Sequence, residues 1–302
     1  MSDVVAGVIG LGIMGGEFAA HIAAAGVRTL GFDLAPEKRS AAKERGVEIC
    51  ASAAAVAKEA DLILTSLPSV KALEAALFGE EGVARAGRRG MIVVEASTFP
   101  LEAKEDARER LAGPERDRPR INMLDAPVSG TGVQAASKDI TVLASGERAD
   151  YDRAEPVLKH FARAVHYVGA FGAGSKMKYV ANLLVTIHTM AAAEAIALAE
   201  KAGLDSKLMV KLLAKSGGGS KMMEVRAPAM AAGTYQTPQM KVDVFQKDLD
   251  AIGQFARKVG CAVPLFSASV PYFTSAMAQG MGGYDIGAVV AILREMAGLG
   301  RS

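Results

Sequence analysis

Cysteine is scarce in this chain. Cys50 and Cys261 stand far apart among 302 residues and in no metal-ligand spacing. A disulfide framework is therefore excluded, and a reducing cytoplasm is the expected setting. Histidine is equally thin: His21, His160, His166 and His188 form no H-x-x-x-H and no Cys/His cluster, so no metal site is expected. An excess of one charge is missing too. Lys+Arg number 35 against 33 Asp+Glu, a net charge of +2. No basic stripe points to nucleic acid or an anionic membrane, and the expected partners are small molecules. A secretory pattern at the N-terminus is lacking, because a glycine turn interrupts the apolar run and Glu17 follows. Residues 179–199 lack lysine and arginine and approach a bilayer span in length. They nevertheless contain Asn182, His188 and Glu194 and much alanine, so a buried helix of a soluble protein is expected there.

What the chain does contain is concentrated near its start. The β-branched run Val4-Val5-Ala6-Gly7-Val8-Ile9 leads into Gly10-Leu11-Gly12-Ile13-Met14-Gly15, a G-x-G-x-x-G turn. Phe18, Ala19, Ile22, Ala23 and Ala25 then carry helical spacing, Gly26 ends the helix, and 27–32 form a strand closed by Asp33. Gly10 permits the tight turn, Gly12 lets backbone approach a pyrophosphate, and Gly15 allows close helix–strand packing. The helix N-terminus directs N–H groups at the anion. Asp33 can accept hydrogen bonds from the adenosine ribose and repels the extra phosphate of NADP. Leu34, Ala35 and Pro36 follow it, so NAD is preferred over NADP, although Lys38 and Arg39 are close by.

Strands and helices go on alternating. Strands are expected at 47–49, 62–67, 91–95, 121–124, 140–144 and 164–168, with helices at 36–45 and 53–60 and a charged helix beyond Pro100. This implies an α/β, Rossmann-type, doubly wound and mostly parallel sheet over residues 1–168. From 169 onward strand signals vanish, and residues 169–302 read as an all-helical domain entered through a long interdomain helix. Ser175 is placed to cap that helix, which runs from about 176 to 202, roughly 40 Å. Lys178, Asn182, Val185 and Thr189 share one of its faces. On spacing alone, Lys178 reads as part of a solvated first turn.

Four motifs in order resemble the β-hydroxyacid dehydrogenase family, which includes 3-hydroxyisobutyrate, tartronate semialdehyde and L-threonate enzymes. They are Gly10-Leu11-Gly12-Ile13-Met14-Gly15, Asp125-Ala126-Pro127-Val128-Ser129-Gly130, Gly172-Ala173-Gly174 with Lys178 and Asn182, and Lys247-Asp248-Leu249. The resemblance runs nearly end to end. It implies that Lys178 is the catalytic acid/base and that Asn182 positions the substrate. Ser129 and Gly130 would hold a substrate carboxylate, with Thr131 beside them. Lys247 and Asp248 would serve the cofactor side, and Leu67, Pro68, Ser97 and Thr98 would touch the dinucleotide from strand-end loops. Two departures are visible. Thr131 stands where the family usually has glycine, and a common asparagine pair is reduced to Ala181-Asn182.

The stretches 174–178, 216–220 and 242–249 are similar to L-threonate enzymes, which makes Lys221 a candidate for reading the far end of the substrate. The chemistry implied is oxidation of a short 3-hydroxy acid, with 3-hydroxyisobutyrate as the first class and four- or three-carbon sugar acids as the alternative. A lysine serves as the base when burial or a neighbouring cation lowers its pKa. A non-catalytic dinucleotide-binding module is the competing class, and Lys178 with Asn182 argues against it. Imine reductases share the architecture but should lack the lysine. The apolar helix rich in alanine needs covering, so a homodimer or homotetramer is expected.

Overall fold

The computed structural model describes residues 4–113 and 120–300. In chain order its first elements are β1 (Ala6–Ile9), α1 (Ile13–Ala24), β2 (Thr29–Phe32), α2 (Pro36–Glu44), β3 (Glu48–Ile49), α3 (Ala53–Glu59) and β4 (Leu62–Thr65). Then come α4 (Val70–Phe78), β5 (Ile92–Glu95), α5 (Leu101–Ala112), β6 (Asn122–Asp125), β7 (Val128–Ser129), α6 (Gly132–Ala136), β8 (Thr141–Ala144), α7 (Arg148–Leu158) and β9 (Ala164–Tyr167). The remaining helices are α8 (Ala173–Lys201), α9 (Ser206–Leu213), α10 (Lys221–Val225), α11 (Ala227–Ala232), α12 (Val242–Lys258), α13 (Pro264–Ala278) and α14 (Val289–Met296). The chain divides into two compact units, one ending at Lys178 and the other beginning at Tyr179, so the division falls within α8.

Six strands of the first unit form one sheet in the order β3-β2-β1-β4-β5-β6, parallel throughout. This is the Rossmann order, reversing beside β1, so the carboxyl ends of β1 and β4 open a crevice for a ligand. Helices cover both faces, and alternation along each strand shows it. Val8, Leu64, Val94 and Leu124 pack with Phe18 and Ile22 of α1, while Ile9, Ile63, Val93 and Met123 pack with helices α3 to α5 through Val56, Leu73, Leu77 and Ala107. Phe18 stacks on Phe161 with ring centroids 4.4 Å apart. Truncating a side chain such as Leu64 to alanine costs about 3 kcal/mol.

The last strands depart from the expectation of one continuous sheet. β8 and β9 pair in parallel with each other, and with the antiparallel two-residue strand β7 they form a separate three-stranded sheet. A bridge between Asp125 and Ser145 connects it to the edge of the large sheet. The strand β7 is too short to leave a period in the sequence. The long helix differs as well. It begins at Ala173, so Ser175 lies inside its first turn instead of capping it.

Among the described residues α8 is the helix long and apolar enough to cross a membrane, with a mean hydropathy of 1.5 in its best window. Its buried face holds Lys178, Asn182, Thr186 and Thr189, and its first turn is tied to the sheet by Ser175.

Candidate active site

At the end of β1, Gly10 adopts φ +90°, and a Cβ there would come 2.2 Å from the Ser66 carbonyl. A Cβ on Gly15 would lie 1.9 Å from the Gly10 carbonyl, so the first turn of α1 rests directly on the glycine loop. A Cβ on Gly12 would meet nothing within 4 Å, and no side chain caps α1. Unclaimed amides facing open space suit a pyrophosphate. Asp33 braces this turn: its Oδ2 accepts from Leu11 N at 2.7 Å and its Oδ1 from Ala35 N at 2.8 Å. Each oxygen keeps a lone pair for a ribose hydroxyl. Arg39 folds back to donate to the Asp33 carbonyl at 3.1 Å.

Leu67 and Pro68 follow β4, and Ser97 and Thr98 follow β5. Leu67 N donates to Ser97 Oγ at 2.9 Å, so the two loops are joined. Ser129 ends β7 and Gly130 turns at φ +144°, where a Cβ would come 2.5 Å from Ile140 Cγ2. Thr131 is the N-cap of α6 in a reciprocal capping box: its Oγ1 accepts from Gln134 N and its N–H donates to Gln134 Oε1 at 3.0 Å. A Cβ on Gly132 would come 2.3 Å from Ile13 Cγ2. The Ser129–Gly130–Thr131 loop therefore abuts the start of α1, and both predicted binding loops meet within the first unit.

A buried polar cluster that the sequence reading missed lies behind these loops. Lys104, Glu95 and Asp125 are all 0% exposed. Lys104 Nζ lies 2.6 Å from Glu95 Oε2, and it donates to Asp125 Oδ1 at 2.8 Å and to the Ser97 carbonyl at 2.6 Å. Burial alone would lower the Lys104 pKa, but the charges of Asp125 and Glu95 and their hydrogen bonds more than offset it, holding the ammonium above its ordinary value. Ser97 N donates to Glu95 Oε1 at 2.9 Å. Asp125 in turn receives Ser175 N at 2.7 Å, Ser175 Oγ at 2.7 Å and Ser145 Oγ at 3.2 Å. One signal could have revealed Lys104. It occupies a position in the buried stripe Leu101, Lys104, Ala107, Leu111 of an otherwise charged helix.

Lys178 stands one turn beyond Ser175 and is 9% exposed, so it is not on a solvated turn. In the second unit Asn182, one turn further along α8, is 6% exposed, and its carbonyl accepts from Thr186 Oγ1 at 2.8 Å. Tyr179 packs on Phe255 at 5.3 Å between centroids, and Phe255 lies two turns beyond the buried Asp248 on α12. Lys247 is half-buried beside Asp248. Lys221 begins α10, is exposed, and lies 3.1 Å from Glu224 Oε2. Ser220 caps that helix by accepting from Met223 N at 3.1 Å.

Comparison with known proteins shows the family. Residues 5–169 match the family described as the NAD binding domain of 6-phosphogluconate dehydrogenase. Residues 172–293 match the NAD-binding domain of NADP-dependent 3-hydroxyisobutyrate dehydrogenase. L-threonate dehydrogenase of Cupriavidus necator is 39% identical over 287 residues, 95% of each chain. The Escherichia coli enzyme of the same name is 36% identical over 96% of this chain and 95% of its own. A crystal structure of 3-hydroxyisobutyrate dehydrogenase from Salmonella typhimurium superposes with a TM-score of 0.85 at 35% identity, covering 96% of this chain and 100% of that one. With family models matched over residues 5–169 and 172–293 and relatives 39% and 36% identical along nearly its whole length, this chain belongs to the β-hydroxyacid dehydrogenase family and is an NAD(P)-binding oxidoreductase of hydroxy acids.

Proposed function

We propose that this protein oxidises a short hydroxy acid of the four-carbon sugar-acid type with NAD, using Lys178 as the acid/base. The observation that carries this reading is the burial of Lys178 and Asn182 one turn apart on a helix anchored to the strand ends of the nucleotide-binding unit. NAD, when bound, accepts hydride from the hydroxyl-bearing carbon. Lys178 Nζ takes the hydroxyl proton as that C–H bond breaks and the carbonyl forms, and it returns the proton in the reducing direction. Ser129 Oγ and the backbone at Gly130 hold the carboxylate, with Thr131 at the edge, and Asn182 orients the hydroxyl. Leu67, Pro68, Ser97 and Thr98 line the dinucleotide, while Lys247 and Asp248 act on its nicotinamide side. Asp33 selects NAD over NADP.

The substrate class rests on similarity to L-threonate dehydrogenases along nearly the whole chain. Lys221 reads the distal hydroxyls. Similarity to the Salmonella typhimurium structure supports 3-hydroxyisobutyrate as the second reading. We read the enzyme as a soluble cytoplasmic homo-oligomer, at least a dimer. Its exposed α8 side chains Met177, Val180, Leu184 and Leu198 support a covering subunit, and light scattering that returned a monomer would refute it. The test of function is NAD reduction at mildly alkaline pH across L-threonate, other four-carbon sugar acids, D-glycerate, L-serine and 3-hydroxyisobutyrate. Turnover of the sugar acids is expected. Turnover of 3-hydroxyisobutyrate alone selects the second reading, and no turnover with NAD bound sinks both.

A further inference from the structure

Behind the cofactor loops the protein buries a lysine and two carboxylates completely, and no step of the proposed reaction uses them. Burying such charges is costly unless each is paired and hydrogen-bonded, and an apolar cluster of the same volume is often at least as stable. The contacts of this cluster show where it acts. Its Glu95 and Lys104 end holds both the N–H and the carbonyl of Ser97, whose hydroxyl in turn receives Leu67 N. Its Asp125 end holds the first turn of α8. Ser175 N and Oγ both donate to the carboxylate, and Ser145 links it to Gly174 N through a 3.0 Å bond. No amide of that turn is left over, since Ala173 N and Lys176 N donate to the carbonyls of Ala170 and Gly172 at 3.0 Å.

We infer that Lys104, Glu95 and Asp125 form a positioning unit for Lys178, fixing the helix turn that carries it to the cofactor-loop residue Ser97 and holding a surplus carboxylate charge beneath it. This inference rests on Lys178 being the acid/base. One rigid cluster thus sets the register between the proton acceptor and the loop that lines the dinucleotide. The charged groups on the elements meeting here are Glu95 of β5, Lys104 of α5, Asp125 of β6, and Lys176 and Lys178 of α8, while Lys247 and the buried Asp248 lie on α12, which packs on α8 through Phe255 and Tyr179. Arg108 lies near Phe171 at the rim, where it pairs with Glu147. An anion near a helix N-terminus stabilises the helix, and one near an ammonium favours its charged form.

The test is Asp125→Asn in the full-length protein. This variant keeps the volume and leaves the Lys104–Glu95 pair balanced. The expected result is kcat lowered about tenfold or more, with NAD stoichiometry intact. The acid limb of the kcat/KM profile should move to lower pH by about half a unit or more, because the carboxylate that favoured the protonated lysine is gone. A limb that stays in place, or a kcat within about twofold of the parent, overturns the inference, since a merely structural role leaves the limb unmoved. Should Asp125→Asn not fold, the double variant Ser145→Ala/Ser175→Ala removes two hydroxyl donors to the same carboxylate and keeps every charge. Its kcat should fall about fivefold with both KM values unchanged, and an unchanged kcat overturns the inference. Lys178→Ala separates the two claims. Retained turnover in that variant sinks the acid/base reading itself, whereas an inactive Lys178→Ala beside a parent-like Asp125→Asn sinks the positioning alone.

Discussion

Two helices of the nucleotide-binding unit start at the carboxyl edge of the sheet and treat their first-turn amides in opposite ways. In α1 the cap is Gly12, no side chain makes a capping hydrogen bond, and a Cβ on Gly12 would meet nothing within 4 Å. In α8 the amides from Ala173 to Lys176 are claimed by backbone carbonyls, the Ser145 hydroxyl or the Asp125 carboxylate. Every helix N-terminus has the same partial positive charge and the same unsatisfied donors. What differs is whether the protein supplies the anion itself. The open terminus is suited to an anionic cofactor. The filled one is a scaffold, and it is the scaffold that carries Lys178.

The sharpest break in this comparison is chemical. Lys178→Ala should lower turnover by about three orders of magnitude while leaving NAD binding intact by calorimetry. Matched glycine changes come next. Gly15→Ala drives a methyl group into the Gly10 carbonyl and should weaken NAD binding about a hundredfold in the same calorimetric assay. Gly174→Ala places a Cβ 2.2 Å from the Leu143 carbonyl, so its cost of about 2 kcal/mol should appear in urea unfolding instead. If both variants lost NAD affinity alone, the distinction between open and filled termini would be wrong.

Asp33→Ser tests the rim of the open terminus. It should raise the ratio of NADP to NAD use about tenfold in steady-state kinetics, helped by Arg39 lying on the Asp33 backbone. An unchanged ratio removes Asp33 as the selector. Lys221→Ala should have the smallest effect, a rise of a few-fold in KM for the hydroxy acid with kcat preserved, because the side chain is exposed and at the start of α10. An unaltered KM and substrate profile would end its assignment.

Much of the fold was legible because it is written in local periods. The glycine turn, the β-branched runs and the helical spacing of Phe18 and Ile22 need only neighbours in sequence, and the elements lie close to where those patterns put them. At the candidate site, motifs in a family order mark Ser129, Gly130, Lys178 and Asn182 as candidates, and the burial of Lys178 and Asn182 came only with the structure. The two-residue strand β7 was not, nor was the start of α8 at Ala173, since no local signal marks either. The charged cluster was hidden for a different reason, apart from the stripe that puts Lys104 on the buried face of α5. Glu95, Lys104 and Asp125 are separated by many residues, and each by itself reads as a solvated charge.

By itself, then, the sequence determined the succession of elements and the glycine turn, because propensity, period and short motifs are local properties. Only the tertiary structure decided which amides remain open to a ligand and which are filled from within. It alone brought a lysine and two distant carboxylates together beneath α8, since a buried charge is tolerable only where long-range folding supplies its partners.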